Sequence, residues 1–405
     1  ARYGDSNVGR MKTVYRRGLG HRYGRNMQTI AGVHFNYSLP ESFWPGYREI
    51  LGGDIGESEF RSSHYLGLIR NFRRLGWIVL YLFGASPALC KSFGGGRELA
   101  MPELNAETWY EPYGTSLRMS DLGYNNQTQA GITISLNRLD EYIRDLSEAI
   151  RTPEPAYEKI GIISNGEYQQ LSTNKLQIEN EYYSPVRPKR VARSGERPTA
   201  ALRRGGIEYV EIRSLDLSVS DPAGINQNAM RFIEAFLIYC LLEESPPFDA
   251  GSFEEALQNQ SLTAKRGREP GLKLTRDGKP VDLSDWAREI VDKVAAVAEL
   301  IDGHEDDSSY RDAVSVAASH VAEPESTPSA RLLQELRDSK SSFFEFALDL
   351  ARRDKRYFSS IAPMPPERAQ QMEREALESI QRQRDIEAAD DVSFEDYLAR
   401  YFASD

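Results

Sequence analysis

A carboxylate and a guanidinium stand two residues apart at Glu211 and Arg213, inside a segment, Gly205 to Asp216, that is typical of a β-strand. Its isoleucine, tyrosine and valine residues are strand formers, and the glycine pair marks its start. Because residues two apart on a strand share a face, both charges point the same way. Such a pair is either a surface ion pair or part of a site that holds a metal ion and an anion.

Two further segments predict strands with a polar face. Ala31 to Pro40 alternates polar and apolar residues, which indicates a strand with one face on the core, and Leu176 to Tyr183 has a similar pattern. The polar side chains on these two faces are His34, Asn36, Ser38, Gln177, Glu179, Glu181 and Tyr183. If all three strands share a sheet, the carboxylates and imidazole suit Mg2+, and Arg213 suits a phosphoryl group. The alternative is a solvated sheet face with a few ion pairs.

Cationic and aromatic side chains outside these strands are candidates for substrate contacts. Arg118 lies among small and hydroxylated residues in the loop Tyr113 to Tyr124, which either places a guanidinium over a small anion or is an ordinary turn. Tyr15 and Leu19 lie four apart on one face of a predicted helix, so they can form a common wall. A basic loop, Arg187 to Arg193, lies between two of the predicted strands.

Common phosphate-binding and nucleophile motifs are absent from the sequence. The glycine run Gly94-Gly95-Gly96 lacks the Lys-Ser/Thr continuation of a P-loop, and no Cys-x-x-Cys or His-x-x-x-His pattern occurs. If the chain binds a nucleotide, side-chain cations and metal ions must therefore hold its phosphates.

The elements that position these residues form an α+β pattern. Asn165-Gly166 signals a β-hairpin. We expect an antiparallel sheet with covering helices over residues 1–220 and a mainly helical region over 221–405 packed on it. Helices are predicted at Met11–Leu19, Ser63–Phe83, Leu136–Ile150, Gln227–Leu242, Leu283–Ile301, Tyr310–Ala318, Pro328–Arg337, Phe343–Arg353, Glu367–Glu387 and Phe394–Tyr401.

Composition excludes several classes of protein. The net charge of -11 argues against general binding to nucleic acid, which requires a basic excess. The longest apolar run, Trp77 to Phe83, is too short to span a bilayer. Cys90 and Cys240 lie in apolar contexts, which is typical of buried thiols in a reducing cytoplasm. We therefore predict a cytoplasmic protein without a membrane or nucleic-acid partner.

Several of these segments together resemble the proteobacterial type of glutamate-cysteine ligase, also called γ-glutamylcysteine synthetase. The resemblance covers nearly the whole chain and is strongest from Arg10 to Leu217. The segments that carry it are RMKTVYRRGL (10–19), MQTIAGVHFNYSLP (27–40), GWIVLYLFGASPALC (76–90), TSLRMSDLGY (115–124), LQIENEYYSPVRPKR (176–190) and RRGGIEYVEIRSLDL (203–217).

The resemblance implies an ATP-dependent ligation of the L-glutamate γ-carboxylate to the L-cysteine amine through a γ-glutamyl phosphate, the first step of glutathione biosynthesis. It also implies a fold related to glutamine synthetase, in which an antiparallel sheet forms a funnel-shaped site. The implied cofactor is Mg2+, with Mn2+ as an alternative, and ATP is a co-substrate.

Matched position by position, the family implies roles for individual residues. His34 and Glu211 match metal ligands, and Arg213 matches an arginine that contacts the transferring phosphoryl group. Arg16 and Arg187 match further anion contacts, the former catalytic and the latter to the nucleotide. The residues that resemble the cysteine pocket are Tyr15, Leu19, Arg118, Tyr124 and Tyr183.

One departure from the family lies before Ala1. Family members carry a Glu-x-Glu strand and further acidic residues there, and these bind most of the Mg2+. We therefore expect the full protein to be the ligase. We expect this chain alone to have little or no activity unless the segment is supplied as a separate chain.

Three other functions are alternatives to glutamate-cysteine ligation. A related carboxylate-amine ligase would use another amine, although Tyr15, Arg118, Tyr124 and Tyr183 favour cysteine. A non-catalytic binding protein would retain the fold of a degenerate ligase. A nucleic-acid role for residues 187–193 is the weakest, because the chain is acidic and the segment lacks interleaved aromatic residues.

Overall fold

A computed structural model describes residues 2–52, 54–96, 98–123, 131–305 and 308–403. Its strands are β1 (Val33–Tyr37), β2 (Ala88–Cys90), β3 (Glu103–Asn105), β4 (Thr108–Tyr110), β5 (Ile163–Ser164), β6 (Glu167–Tyr168), β7 (Val186–Lys189), β8 (Tyr209–Leu215), β9 (Lys273–Arg276) and β10 (Lys279–Asp282). All pairs within the sheets are antiparallel, and helices surround them, which confirms the α+β class.

Helices account for most of the remaining chain. They are α1 (Asn7–Tyr23), α2 (Phe43–Leu51), α3 (Glu57–Leu75), α4 (Trp77–Phe83), α5 (Leu139–Arg151), α6 (Pro155–Glu158), α7 (Pro198–Gly205), α8 (Gln227–Leu242), α9 (Ala250–Arg266), α10 (Leu283–Glu305), α11 (Ser309–Ala322), α12 (Pro328–Ser339), α13 (Phe343–Ser360), α14 (Pro366–Ala388) and α15 (Phe394–Ala403). Within the described residues, every helix is too short or too polar to cross a bilayer.

The sheet that carries the predicted polar faces has the strand order β1-β8-β7. Asn36 of β1 and Arg187 of β7 lie directly opposite Glu211 of the central strand, so the three side chains share one face. His34 and Ser38 are exposed on the same side of β1. Two of the three predicted polar strands are therefore confirmed, and they are neighbours.

A bulge in β8 interrupts the regular alternation of this sheet. Val33 pairs with Leu215 and Phe35 with Ile212, so one more residue lies between the partners on β8 than on β1. Straight alternation from Glu211 and Arg213 would place Leu215 on the polar face, yet Leu215 is buried in the core. The extra residue shifts the phase of the strand by one, as bulges beside functional sites commonly do.

The apolar face of the sheet packs on α3 and the helices behind it. Val210 and Ile212 are fully buried there with side chains of α3 and α8. The helix predicted over Ser63–Phe83 is divided into α3 and α4 at Gly76. A side chain at Gly76 would lie 2.5 Å from the Phe72 carbonyl oxygen, so the chain turns between the two helices where there is no Cβ.

The predicted strand over Leu176–Tyr183 is wrong. The segment contains a short 3-10 helix at Glu179–Glu181, and its carboxylates point inward. Glu179 accepts a hydrogen bond from Arg197 Nε at 2.9 Å, and Glu181 accepts one from Arg22 Nη1 at 2.9 Å. Both ion pairs are buried, so these carboxylates have structural partners and do not join the polar face.

The local predictions elsewhere are mostly confirmed. The Asn165-Gly166 hairpin joins β5 to β6, with both turn residues at positive φ. The predicted basic loop instead begins with strand β7, whose Pro188 is tolerated because β7 is at the edge of the sheet. The structure adds α9 and the β9–β10 hairpin, which were not predicted.

The carboxyl-terminal helices follow the predicted positions closely. A single core cluster contains residues from both sides of position 220, such as Ile212 and Phe236, and the predicted division there stays a prediction. Helix α14 differs from the others because none of its residues is buried. Near its end, Glu387 accepts a hydrogen bond from the Asp5 N–H at 2.9 Å.

Candidate active site

Glu211 lies at the centre of the polar face, within reach of three cationic or imidazole groups. Its Oε1 is 3.5 Å from His34 Nδ1, and its Oε2 is 3.7 Å from Arg213 Nη1 and 3.8 Å from Lys189 Nζ. These distances exceed ordinary N–H···O hydrogen bonds, so the carboxylate keeps lone pairs for another partner. The side chain of Glu211 is only 13% exposed.

The surrounding charges keep Glu211 ionised. Burial alone would raise the pKa of this carboxyl, but contact with His34 and the charges of Lys189 and Arg213 more than offset it and lower the pKa to about 2. Glu211 is therefore a carboxylate throughout the physiological pH range, and protons do not compete with a cation for it.

This pKa predicts how the stability contributed by Glu211 depends on pH. The folded pKa is depressed below the ordinary value of 4.5, so the contribution is fully present above the ordinary value and is lost as pH falls towards about 2. We expect Glu211→Gln to unfold more easily than the wild type in urea at pH 6, and the difference to shrink between pH 4.5 and pH 2. A difference that stays constant down to pH 2 would contradict this assignment.

Positive charge exceeds negative charge on this face. Arg187 is buried opposite Glu211, and burial together with the nearby Arg213 lowers the pKa of its guanidinium to about 10. Within the described residues, the buried Nε atoms of Arg187 and Arg213 have no hydrogen-bond partner. Burial also lowers the pKa of Lys189. Three cations thus face one carboxylate, and two of their buried donors lack a partner within the described residues.

Arg118 and Tyr183 lie beside this cluster. Arg118 donates from Nη2 to the backbone oxygen of Arg213 at 3.1 Å, and the Tyr183 hydroxyl is 3.0 Å from Met119 Sδ. Burial raises the pKa of Tyr183, while the charges of Arg118 and Arg213 act in the opposite direction. The structure therefore brings two residues of the predicted cysteine pocket next to the predicted phosphoryl-contacting arginine.

Tyr15 and Arg16 line a cleft of about 670 Å³ between α1, the chain after β7 and α15. Lys189 lines the same cleft, which connects these helical residues to the polar face, and its size falls within the range of ordinary ligand sites. Leu19 is only 1% exposed and belongs to the interior of the protein. Tyr124, the remaining predicted pocket residue, lies outside the described residues.

A larger cavity, about 930 Å³, lies between α3, α5 and α7 on the other side of the sheet. None of the predicted site residues lines it. The polar face and its adjoining cleft are therefore the better candidate for chemistry, because charge and available donors converge there.

Sequence reasoning missed Lys189 and Asp216. Lys189 stands two residues after Arg187, the same spacing as Glu211 and Arg213, so alternation along β7 would have placed it on the polar face. Asp216 stands at an odd spacing from Glu211, and only the bulge in β8 brings it towards Arg118, whose Nε is 2.7 Å from Asp216 Oδ1. No signal in the sequence predicts that bulge.

Comparison with known proteins gives consistent results along the chain. The family model described as glutamate-cysteine ligase matches residues 1–263. The glutamate-cysteine ligase of Alcanivorax borkumensis is 47% identical over 407 residues, covering 99% of this chain and 77% of that protein. The glutamate-cysteine ligase of Pseudomonas paraeruginosa is 46% identical over 404 residues, covering 100% of this chain and 76% of that protein.

Two solved structures resemble the fold. A glutamate-cysteine ligase from Francisella tularensis in complex with AMP superposes with a TM-score of 0.92 at 34% identity, covering 100% of this chain and 78% of that one. A bifunctional glutathione synthetase from Pasteurella multocida has a TM-score of 0.64 at 22% identity, covering 84% of this chain and 38% of that one. At this identity, the likeness shows the fold alone. The expected separate chain carrying further carboxylates finds no support in these comparisons and stays a prediction.

Proposed function

Because this chain belongs to the glutamate-cysteine ligase family, we propose that the polar face of its sheet is where ATP activates glutamate for attack by cysteine. The enzyme is an ATP-dependent carbon-nitrogen ligase of glutathione biosynthesis. A carboxylate is a poor electrophile, so its oxygen first takes the γ-phosphoryl group of ATP and ADP leaves. The cysteine amine then attacks the carbonyl carbon, loses a proton, and phosphate leaves as the amide forms.

The observation that carries this proposal is the excess of positive charge around Glu211. Arg187, Lys189 and Arg213 are held on rigid strands, and charge on the transferring phosphoryl group would meet donors that need no rearrangement. The side chains of Arg213 and Glu211 are only 20% and 13% exposed, so this cluster is largely withdrawn from water, unlike a surface ion pair. We assign Arg213 to the transferring phosphoryl group, and Arg187 and Arg16 to further anion contacts.

Glu211 and His34 fit a divalent cation. Mg2+ is commonly held by one or two protein carboxylates while water and substrate phosphates complete its coordination, and Mn2+ accepts similar donors. The free lone pairs of Glu211 suit this use. Because the part of the chain that the structure describes contains no cluster of three or more His, Cys, Asp or Glu, water and substrate phosphates would supply the other ligands. When bound, the ion would neutralise charge on the β- and γ-phosphates of ATP.

We assign cysteine to the region around Arg118. The guanidinium would bind the α-carboxylate of the amino acid, and Tyr183 with Tyr15 would form walls for its short side chain. Leu19 and Tyr124 complete the proposed pocket on the basis of the family resemblance. We also propose the cytoplasm as the site of action, since both cysteines, Cys90 and Cys240, are free thiols.

An amine panel tests the assignment of the second substrate. With glutamate, ATP and Mg2+ present, we expect kcat/KM for ADP release to be about 10- to 100-fold higher with cysteine than with serine. Cysteamine, which lacks the α-carboxylate that Arg118 would bind, should also be a poor substrate. A higher kcat/KM with an amine that lacks the thiol would favour the related ligase that uses another amine.

A further inference from the structure

Asp216 has an unusually complete set of donors for a residue at the end of a strand. Its Oδ2 accepts from the Ala85 N–H at 2.9 Å and from Ser86 Oγ at 2.7 Å. Its Oδ1 accepts from Ser116 Oγ at 2.9 Å and from Arg118 Nε at 2.7 Å. The carboxylate is 2% exposed, so its charge is buried and compensated mainly by Arg118.

The guanidinium of Arg118 is fixed on its other sides as well. Nη2 donates to the Arg213 backbone oxygen, and the group lies against the backbone at Gly32, just before β1. A Cβ at Gly32 would be 2.6 Å from Arg118 Cζ and 2.7 Å from Nη1, so only glycine leaves room for the guanidinium in this position. Behind it, a Cβ at Gly123 would be 1.7 Å from the Arg118 carbonyl oxygen.

These contacts leave one nitrogen of the Arg118 guanidinium without an acceptor within the described residues. Nε is occupied by Asp216 and one hydrogen of Nη2 by Arg213, whereas Nη1 has no acceptor within the described residues. Two-point recognition of a carboxylate requires the guanidinium plane to be fixed before the ligand arrives, because an arginine otherwise loses several rotatable bonds on binding. The structure thus holds the guanidinium plane through Asp216, the Arg213 backbone oxygen and the backbone at Gly32, and Nη1 keeps its hydrogens for a ligand.

We propose that Asp216 is the positioning residue for substrate recognition by Arg118, and that Gly32 provides the space in which the guanidinium is held. The inference rests on the proposed function, in which Arg118 binds the α-carboxylate of cysteine. Asp216 does not touch substrate, and it acts only through Arg118. Its replacement therefore weakens cysteine binding without changing the phosphoryl-transfer step.

The test compares Asp216→Asn, Arg118→Lys and the double variant in the intact protein. Asparagine removes the negative charge and replaces one accepting oxygen by an NH2 group. That group would face the N–H and O–H donors around this position, so the guanidinium of Arg118 loses its fixed orientation. For Asp216→Asn we expect the Kd for cysteine, measured by calorimetry, to rise about 10- to 100-fold, as for loss of a charge-assisted hydrogen bond. The KM for cysteine should rise by the same factor where turnover is measured. The kcat value and KM for ATP should change less than about threefold.

Non-additivity separates a positioning role from a structural one. If Asp216 acts through Arg118, the double variant binds cysteine no more weakly than Arg118→Lys alone. The matched control is Asp302→Asn, which removes an equally buried carboxylate paired with Arg311 in α10 and α11. It should lower the melting temperature and leave the cysteine affinity unchanged.

Each contrary result has its own meaning. Additive losses, or equal losses for cysteine and ATP, would overturn the positioning role. If Arg118→Lys binds cysteine more weakly while Asp216→Asn binds it as tightly as the wild type, the positioning role is also overturned. The proposed function then stays intact. Unchanged binding in Arg118→Lys would refute the assignment of Arg118 itself, and the positioning role with it. If Asp216→Asn does not fold, Gly32→Ala is the second variant, and unchanged cysteine affinity there would overturn the inference.

Discussion

Glu211→Ala is expected to lower the rate of ADP release with saturating glutamate, cysteine and Mg-ATP by about 1,000-fold or more. Glu211 is the carboxylate that Arg187, Lys189 and Arg213 face on this sheet, and its low pKa keeps it charged. Removing it takes away the proposed metal ligand and leaves the cations to repel one another. Steady-state kinetics with a coupled assay for ADP measures the loss.

The control for this variant is Glu208→Gln, on the chain just before β8. Glu208 Oε2 accepts a hydrogen bond from the Val191 N–H, away from the metal and phosphate contacts proposed above. We expect this variant to keep kcat within about threefold of the wild type. A Glu211→Ala protein that retains the wild-type rate would remove the metal assignment. Wild-type protein that binds substrates without releasing ADP, even with the expected acidic segment supplied, would instead favour the non-catalytic scaffold.

The second large effect is on stability. Glu181→Ala is expected to lower the free energy of unfolding by about 3–5 kcal/mol, because it leaves the guanidinium of Arg22 buried without its counter-charge. Both side chains are fully buried, and Glu181 also accepts from the Tyr23 hydroxyl at 2.8 Å and the Gln177 N–H at 2.7 Å. Urea denaturation followed by circular dichroism measures the change.

An exposed pair in the same part of the fold provides the comparison. Arg17 of α1 contacts Glu167 at 3.1 Å, but their side chains are 38% and 70% exposed. Glu167→Ala should therefore cost no more than about 1 kcal/mol. Replacing Arg22 and Glu181 together by apolar residues should restore part of the loss. Equal losses of unfolding free energy in Glu181→Ala and Glu167→Ala would show that burial does not determine how much these ion pairs stabilise the fold.

The sequence was sufficient to predict the parts of the site that depend on strand alternation. His34 and Asn36, like Glu211 and Arg213, share a face because residues two apart on a strand must do so. The boundaries of α8 were also predicted, since Asn226 caps its start and Gly or Pro does not interrupt the helical pattern. These features are local, so neighbouring residues determine them.

What depends on distant parts of the chain was not predictable. Glu179 and Glu181 follow the same alternation as a polar strand, but buried partners turn them inward. Arg197 lies 18 residues beyond Glu179, and Arg22 of α1 lies 159 residues before Glu181. The contact between Asp216 and Arg118 likewise depends on the bulge opposite β1. Long-range ion pairing and register shifts outweigh local pattern in both cases.

Helix α14 has a consequence for how the protein opens locally. Its residues are all outside the core, and the exposed side chains of Leu377 and Ile380 gain nothing from packing, so its own backbone hydrogen bonds hold it with little tertiary support beyond the contact of Glu387 with Asp5. Such a segment can unwind without disturbing α8, whose Phe232 and Phe236 are fully buried. Its amide hydrogens should therefore exchange with solvent through local opening, while those of α8 exchange only when the whole core unfolds.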